Sequence, residues 1–595
     1  MKFRSVLAIV FPFLFLTSLC CVAQGGTPVL ISIAVSPQSP SVQLGGETQF
    51  TALGTYSDGS SQDLSALVAW SSANNAVVAF EGAASQVLRA QVAASHTLAS
   101  RVLPWQAVPS QNQGLATSLG VGQTTVSATL DSVSSSAAVT VSLGAVQPSF
   151  LGMHFNPANP VSMPYGKCRI WGVRGAYWAD LEPSPGVFDF SVLDEILATA
   201  KQNGIDDGCI FTFGYVPQWA SSNPGDDTCD RLNGTTGSCW LPPDVAFDGS
   251  GTDQTMIDAI SHIAAHVNDP VYLQSHAHVR YWEPFNEPYR SRTLSGTNCS
   301  TTHTCSYNGS YAQLVRIAED MRCVILGVGS AGGVPCSRTP IDSSAAILTP
   351  SGQAYFEDNG RRVVWNFLNC DQNPRPGSGC TTGARGSAAT DVVNFHCYVW
   401  SGDADDVSTY ILQARAFLIP ADAAKPFFCD EGSWATTASL SDPDLQAGFI
   451  ARWYVGILSQ QVTTALWFAF DNQGWGTLWN PKGKNGCSQS AGCLTKAGVA
   501  YNQVHDWLVG AALQGCVSSL GVTSCSLTRP DYSALMIWNA LPLAGCSGQI
   551  SPQVCGSTRY SVPAGYTVER DLGGGTEQVS GTIYVGAKPI LLEKN

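Results

Sequence analysis

The chain has 595 residues, 44% of them hydrophobic and only 12% charged, with a formal net charge of −14. That length exceeds one ordinary core and implies several domains, one of them large enough to be a barrel. The acidic balance, without any run of Lys and Arg, argues against nucleic acid or an anionic membrane as partner and favours neutral ligands.

The first 23 residues carry Lys2 and Arg4, an apolar run from Val6 to Leu16 and a small-residue exit at Val22-Ala23-Gln24, the pattern of a secretory signal. The run is short and broken by Pro12, so export is expected rather than a membrane span. Cys20 and Cys21 leave a lipoprotein as a minor alternative. In an exported chain the remaining cysteines read as disulfides before metal ligands, and neither CxxC nor HExxH occurs, so no metal and no cofactor is expected. Near neighbours in polar loops suggest the pairs Cys229–Cys239, Cys299–Cys305, Cys370–Cys380, Cys487–Cys493, Cys516–Cys525 and Cys546–Cys555, with Cys323–Cys336 as a seventh. Cys168, Cys209, Cys397 and Cys429 fall in apolar strand-like runs and are expected to be buried free thiols.

Residues 27–143 are poor in charge, and SIAVSP, TQFTALGTYS, ALVAWSS, TTVSATL and AAVTVSL alternate apolar with polar positions between turn signals, as in a β-sandwich. LISIAVSPQSPSVQLGGETQF and GVGQTTVSATLDSVSSSAAVTV resemble a bacterial immunoglobulin-like domain of group 2, interrupted by an insertion around residues 82–112. The resemblance implies a spacer or a module that associates with the cell surface, and the segment carries no catalytic group.

From Phe150 to about residue 510 the texture becomes apolar strands alternating with amphipathic helices. FLGMHF, CRIWGV, CIFTFG, VRYWEPFNE, CVILGVG, VVNFHCYVW, PFFCDE and TALWFAF are eight strand candidates. Eight such units predict a (β/α)8 TIM barrel with its chemistry at the C-terminal strand ends. Residues 511–595 return to period-two strands and predict a small C-terminal β-sandwich, to which a piece of the barrel's N-terminal edge could add.

Two carboxylates stand at predicted strand ends: Glu287 in YWEPFNEPY after the fourth strand and Glu431 in PFFCDEGSWA after the seventh. Cleaving a glycosidic bond needs one carboxylic acid to protonate the leaving oxygen and one carboxylate to attack or stabilise the anomeric carbon. Proximity to the strand ends predicts the retaining separation, about 5 to 5.5 Å, and the Glu431 anion is expected to raise the pKa of Glu287. Arg169 either holds the nucleophile ionised or pairs with Glu283, which shares the parity of Glu287 but lies deeper as scaffolding. Asp430 has the opposite parity to Glu431 and is expected to face the helices. Trp219, Trp467 and Trp475 could form stacking platforms for sugar rings, with core packing the alternative for Trp467. His154 could bond a sugar hydroxyl or be a satisfied buried histidine, and Glu182 reads as a loop anchor.

RIWGVRGAYWADLEPSPGVFDFSVLD, FTFGYVPQWAS, YWEPFNEP, NFHCYV and DLGGGTEQVSGTIYVGAKPILLE together resemble the retaining glycoside hydrolases of clan A, family 39 and its neighbours, over about residues 150–595. By position the resemblance implies that Glu287 is the acid/base, Glu431 the nucleophile, and Asn286 the amide that holds the sugar 2-hydroxyl. It also implies that His396 and Tyr398, on one face of the sixth strand, position the nucleophile and the substrate. The expected function is a secreted β-glycosidase acting on plant or microbial polysaccharide or oligosaccharide by double displacement. The alternatives are an endo-acting glucanase or mannanase of the clan, or a non-catalytic carbohydrate-binding or adhesion protein.

Overall fold

A computed structural model describes residues 28–594 apart from 44–46, 76, 81–113, 119–121, 160, 230–234, 292–293, 295–298, 301–303, 359, 373–378, 381–384, 436–438, 473 and 540–556. The signal segment, the insertion around residues 82–112 and the pair Cys546–Cys555 lie outside the described residues.

Eight parallel strands form the centre: β1 (Leu151–Met153), β2 (Lys167–Ile170), β3 (Asp207–Thr212), β4 (His278–Glu283), β5 (Ala346–Ile347), β6 (Val393–His396), β7 (Phe427–Glu431) and β8 (Thr464–Trp467). Each pairs with its neighbour in sequence, β8 pairs with β1, and a parallel bridge from Leu348 to Val392 joins β5 to β6, closing the ring. Its lower interior is filled by Ile210, Leu348, Val392, Phe428 and Leu466. Outside it pack α1 (Ser191–Gln202), α2 (Gln254–Val267), α3 (Tyr311–Leu326), α4 (Arg361–Leu368), α5 (Asp406–Ala416), α6 (Pro443–Ser459) and α7 (Lys496–Leu508). In α1 the buried Leu193, Ile196, Leu197 and Ala200 recur at helical spacing, which is why this polar segment is a helix with one apolar face.

The fifth strand is not CVILGVG. Residues 323–326 form the last turn of α3, which a capping box between Ser310 and Gln313 starts and Gly327, at φ +70°, ends. A short apolar run cannot be assigned to strand or helix by periodicity alone. The true β5 has two residues, within an apolar run of only four, Ala345 to Leu348.

The N-terminal segment forms three small sheets around one core that includes Val35, Phe50, Ala52, Val126, Val139 and Val141. The C-terminal segment forms a six-stranded sheet that buries Met536 and Trp538 against the barrel's outer layer and Ile537 and Leu592 on its other face. Ala145, just before β1, makes an antiparallel bridge to Ala512, so the barrel's leading edge does extend this sheet.

Six of the seven expected disulfides join described residues and are formed. The expected free thiols are not free: Cys168 pairs with Cys209, and Cys397 with Cys429. Cys168 and Cys209 are matched neighbours on parallel strands, which aim their Cβ atoms to the same side of the sheet, while Cys397 follows β6 where its pairing with β7 slips; the Cα atoms stand 4.6 and 5.5 Å apart, within bonding range. Among the described residues no helix is long and apolar enough to cross a membrane.

Candidate active site

The site is built on a buried guanidinium. Arg169, on β2, points into the barrel mouth with its side chain fully buried, and meets three carboxylates: Glu283 at the end of β4, and Asp430 and Glu431 at the end of β7. Its Nε lies 2.7 Å from Asp430, while Nη1 bonds Glu431. Nη2 donates to Glu283 and, at 2.8 Å, to Asn286 Oδ1. Thr212 Oγ1 and the Ser351 amide donate to the two Glu283 oxygens at 2.8 and 3.0 Å. Arg169 therefore bonds both Glu431 and Glu283, the two partners expected as alternatives, and its pKa is raised because these carboxylates outweigh burial.

Asp430 corrects the parity argument. It is completely buried and faces Arg169 and His396 rather than the helices. The pairing of β6 with β7 slips at this point, Phe395 opposite Cys429 but His396 opposite Glu431. Asp430 is thus the extra residue of a bulge, and the alternation on which parity depends is broken. Burial pushes its carboxyl up to about 8, against the pull of Arg169 and with the push of Glu283.

Glu431 sits at the end of β7, its Oε2 accepting a 2.8 Å bond from the Tyr398 hydroxyl. Tyr398 stays protonated, because burial and the Glu431 and Glu287 charges raise its pKa well above the ordinary value. Gly432 follows because space allows nothing larger: a Cβ there would lie 2.4 Å from the Trp453 ring and 2.9 Å from the Cys397 carbonyl oxygen.

Glu287 stands across the mouth at φ +43°, a left-handed conformation uncommon for a residue with a side chain and one that recurs at functional sites. Its amide donates to Ser351 Oγ at 3.1 Å and its carbonyl accepts from Ser306 at 2.8 Å. Its Oε1 accepts from Gln353 at 2.9 Å and lies 2.6 Å from His396 Nδ1. The same Nδ1 is 3.4 Å from Glu431 Oε2, so the imidazole bridges the two acids, and an oxygen of each lies within 4.8 Å of the other.

This bridge reverses the expected pKa of Glu287. Burial alone would raise it, but the His396 charge and hydrogen bond hold the carboxyl below its ordinary range. Burial likewise opposes protonation of His396, yet Glu431 and Glu287 raise it to about 9. The resting pair is an imidazolium beside a carboxylate.

The other expected residues divide. Asn286 is buried beside Arg169, while Trp475 is half-buried with its ring 5.2 Å from that of Tyr398. Trp219 is partly exposed after β3 and anchored to the Glu182 carbonyl at 2.8 Å. Glu182 is the loop anchor, accepting from Trp178 Nε1 and the Gly186 amide at 2.9 Å. Trp467 is not a platform: its side chain points outward into the fully buried layer beneath the helices, packed on Trp434, Phe449, Trp453 and Tyr454. His154 lies under the site, its Nε2 2.8 Å from the Asp430 carbonyl oxygen, and burial drives its pKa down to about 3, so it is neutral. Only 2% exposed, it corrects the expectation of a contact with a sugar hydroxyl. Gln353 and Ser351 were not foreseen, since they follow the two-residue β5 that no pattern announces.

Two groups of acids and histidine could in principle surround a cation, Glu283 with His396 and Asp430, and Glu287 with His396 and Glu431. The Arg169 guanidinium already supplies positive charge to three of these carboxylates. A third group, Asp226 with Cys229 and Cys239, offers no thiolate because its cysteines are bonded to each other.

A family model described as β-galactosidase, glycoside hydrolase family 42, matches residues 162–226, a stretch containing β2 and β3. The chain is similar in structure to a family 39 glycoside hydrolase from Bacteroides cellulosilyticus WH2, with a TM-score of 0.49 and 13% identity over 81% of this chain and 89% of that one. A glucosidase from Croceicoccus marinus gives 0.45 and 13%, covering 76% and 96%. A family 30 endoxylanase from Clostridium papyrosolvens gives 0.43 and 11%, covering 76% and 98%. A curated relative, ice-binding protein 1 of Shewanella frigidimarina, is 27% identical over 207 residues, 34% of this chain. The chain covers 19% of that protein's length.

Proposed function

We infer that the chain is an extracellular retaining β-glycosidase, with Glu287 as acid/base and Glu431 as nucleophile. The observation that carries this reading is the approach of the two carboxylates to within 4.8 Å at the mouth of a (β/α)8 barrel. Inverting enzymes hold their carboxyls about 6.5 to 9.5 Å apart to admit a water, and the close approach of these two oxygens favours the retaining arrangement. Glu431 is bonded by Arg169 and Tyr398, which orient it. The match to a β-galactosidase family over residues 162–226 agrees with a carbohydrate substrate.

The proton for the first step rests on His396 Nδ1, one hydrogen bond from Glu287 Oε1. Its transfer leaves a neutral imidazole and a neutral Glu287, which protonates the leaving oxygen as Glu431 bonds to the anomeric carbon. The now ionised Glu287 then takes a proton from water, which attacks the glycosyl-enzyme and frees Glu431. Asn286, held by Arg169, is the amide for the sugar 2-hydroxyl.

Eight disulfides among the described residues agree with an oxidising compartment. Residues 27–143 are read as an immunoglobulin-like spacer through which the enzyme associates with a cell surface. The test is hydrolysis of a panel of aryl β-glycosides and polysaccharides followed by proton NMR of the first-formed anomer. The β-anomer is expected from wild type, with hydrolysis strongly reduced in Glu287→Gln; an α-anomer would refute retention.

A further inference from the structure

An exposed line of aromatic rings leads away from the catalytic pair. It starts at Tyr398, whose hydroxyl bonds Glu431. From there it passes to Trp475 at 5.2 Å, Trp400 at 5.7 Å, Phe356 at 6.2 Å and Tyr355 at 4.6 Å between successive ring centroids. Every one of these residues follows a barrel strand at its C-terminal end: Tyr355 and Phe356 after β5, Tyr398 and Trp400 after β6, Trp475 after β8. Burial falls along the line. Tyr398 is 4% exposed, whereas Trp400, Phe356 and Tyr355 are 37%, 38% and 37% exposed.

Single exposed aromatics need no explanation, but a contiguous exposed set continuous with a catalytic centre is the mark of a ligand-binding face. We propose that Trp400 and Phe356, with Tyr355 behind them, form an extended subsite that stacks against successive sugar rings of a neutral glycan, so that the enzyme acts on chains rather than on terminal disaccharides. The proposal rests on the glycosidase reading of the site.

Geometry and charge select this occupant. The line between Glu287 and Glu431 divides the mouth into a half bounded by β5 and β6 and a half bounded by β8, β1, β2 and β3. Asn286, which takes the reacting sugar in the proposed mechanism, is held by Arg169 of β2, on the side of the second half. A chain lying between the two acids must therefore leave over the first, where Tyr398, Trp400, Phe356 and Tyr355 stand. Gln353, which bonds Glu287, is two residues before Tyr355, so one loop serves both the acid and the platform.

The rim carries Glu357 and Asp358 beside Phe356, and Ser401, Asp403 and Asp406 beyond Trp400, with Arg362 and Arg452 paired to three of these acids and to their neighbour Asp405, and Ser401 donating to Asp406. Such a rim hydrogen-bonds hydroxyl groups and repels an anionic polymer. A pyranose presents an apolar face to an aromatic ring and hydroxyls at its edge, which fits rings flanked by carboxylates.

The test compares Trp400→Ala and Phe356→Ala with wild type on gluco-, xylo- and manno-oligosaccharides of two to six units and on the matching aryl β-glycosides. For the sugar that wild type cleaves, the ratio of kcat/KM on the hexamer to that on the aryl glycoside is expected to fall about tenfold in either variant, the loss of one buried stacking contact. Trp400→Tyr should recover most of it. An unchanged ratio in both variants would overturn the proposal, as would a loss equal on both substrates. If wild type hydrolyses nothing, the catalytic reading fails, and the platform is then judged by electrophoresis in gels containing β-glucan, xylan or mannan. Retardation of wild type that Trp400→Ala abolishes would support it, and no retardation of wild type in any gel would overturn it.

Discussion

Arg169 Nη1 bonds Glu431 across the barrel, from β2 to β7, while the rest of the same guanidinium holds Glu283, Asp430 and Asn286. One cation thus fixes Glu431, the amide beside Glu287 and the floor of the site. Replacing it with Met leaves several buried carboxylates unpaired, and breaking a buried pair in this way costs about 3 to 5 kcal/mol. Arg169→Met is expected to lower the unfolding midpoint in urea and abolish activity together. Arg169→Lys should recover part of the stability but little activity, because an ammonium cannot present the planar fork that reaches all of these partners.

The two acids should differ in how their loss reads out. Glu431→Gln removes the proposed nucleophile and should cut kcat/KM by roughly 10⁴ or more on every substrate. Glu287→Gln should cost roughly 10² to 10⁴, and least on aryl glycosides whose leaving group departs without a proton. Steady-state rates on substrates with leaving groups of graded pKa separate the two, and a Glu431 variant of near-full rate would remove the assignment.

His396 sets a direction for pH dependence. Its pKa in the folded chain, about 9, lies above the ordinary 6.5, so the stability it contributes is fully present below pH 6.5 and is lost as pH rises toward 9. Asp430, raised to about 8, adds a cost over part of the same rise, since the folded chain must ionise a carboxyl that burial disfavours. The unfolding temperature should therefore fall between pH 6.5 and 9. His396→Gln should flatten the slope and remove the alkaline limb of the kcat/KM profile. His278, also raised to about 9 by its bonds to Asp207 and Asp342 on the opposite end of the barrel, contributes a similar slope, and His278→Gln should flatten stability without moving the activity profile.

The Cys397–Cys429 bridge ties β6 to β7 just behind His396 and Glu431. It closes a loop with a sequence separation of 32 residues, and its removal as Cys397→Ser with Cys429→Ser should cost about 2 to 4 kcal/mol in urea titration. Activity per folded molecule should also fall, because the bulge that carries Asp430 and Glu431 starts beside the bridge. Full activity with unchanged stability would show that packing alone holds the two strands.

Local pattern determined much of this protein. Apolar runs bounded by turns located seven of the eight barrel strands, and the acids at the ends of β4 and β7 stood out because an Asn-Glu step and a Glu-Gly step punctuate those runs. The polar spacing of near-neighbour cysteines also named six of the disulfides, since short loops restrict partners.

Tertiary structure decided the rest, wherever a side chain's direction depends on a partner strand. A slip in the pairing of β6 with β7 turned Asp430 inward, and matched register between parallel strands joined Cys168 to Cys209. Trp467 went to the helices rather than the mouth because β8 presents that face outward, and β5 was invisible because two residues carry no period. The charge state of Glu287 was likewise undecidable from sequence: a neighbouring anion raises a carboxyl, but an imidazolium 2.6 Å away lowers it, and only the folded chain brings His396 there.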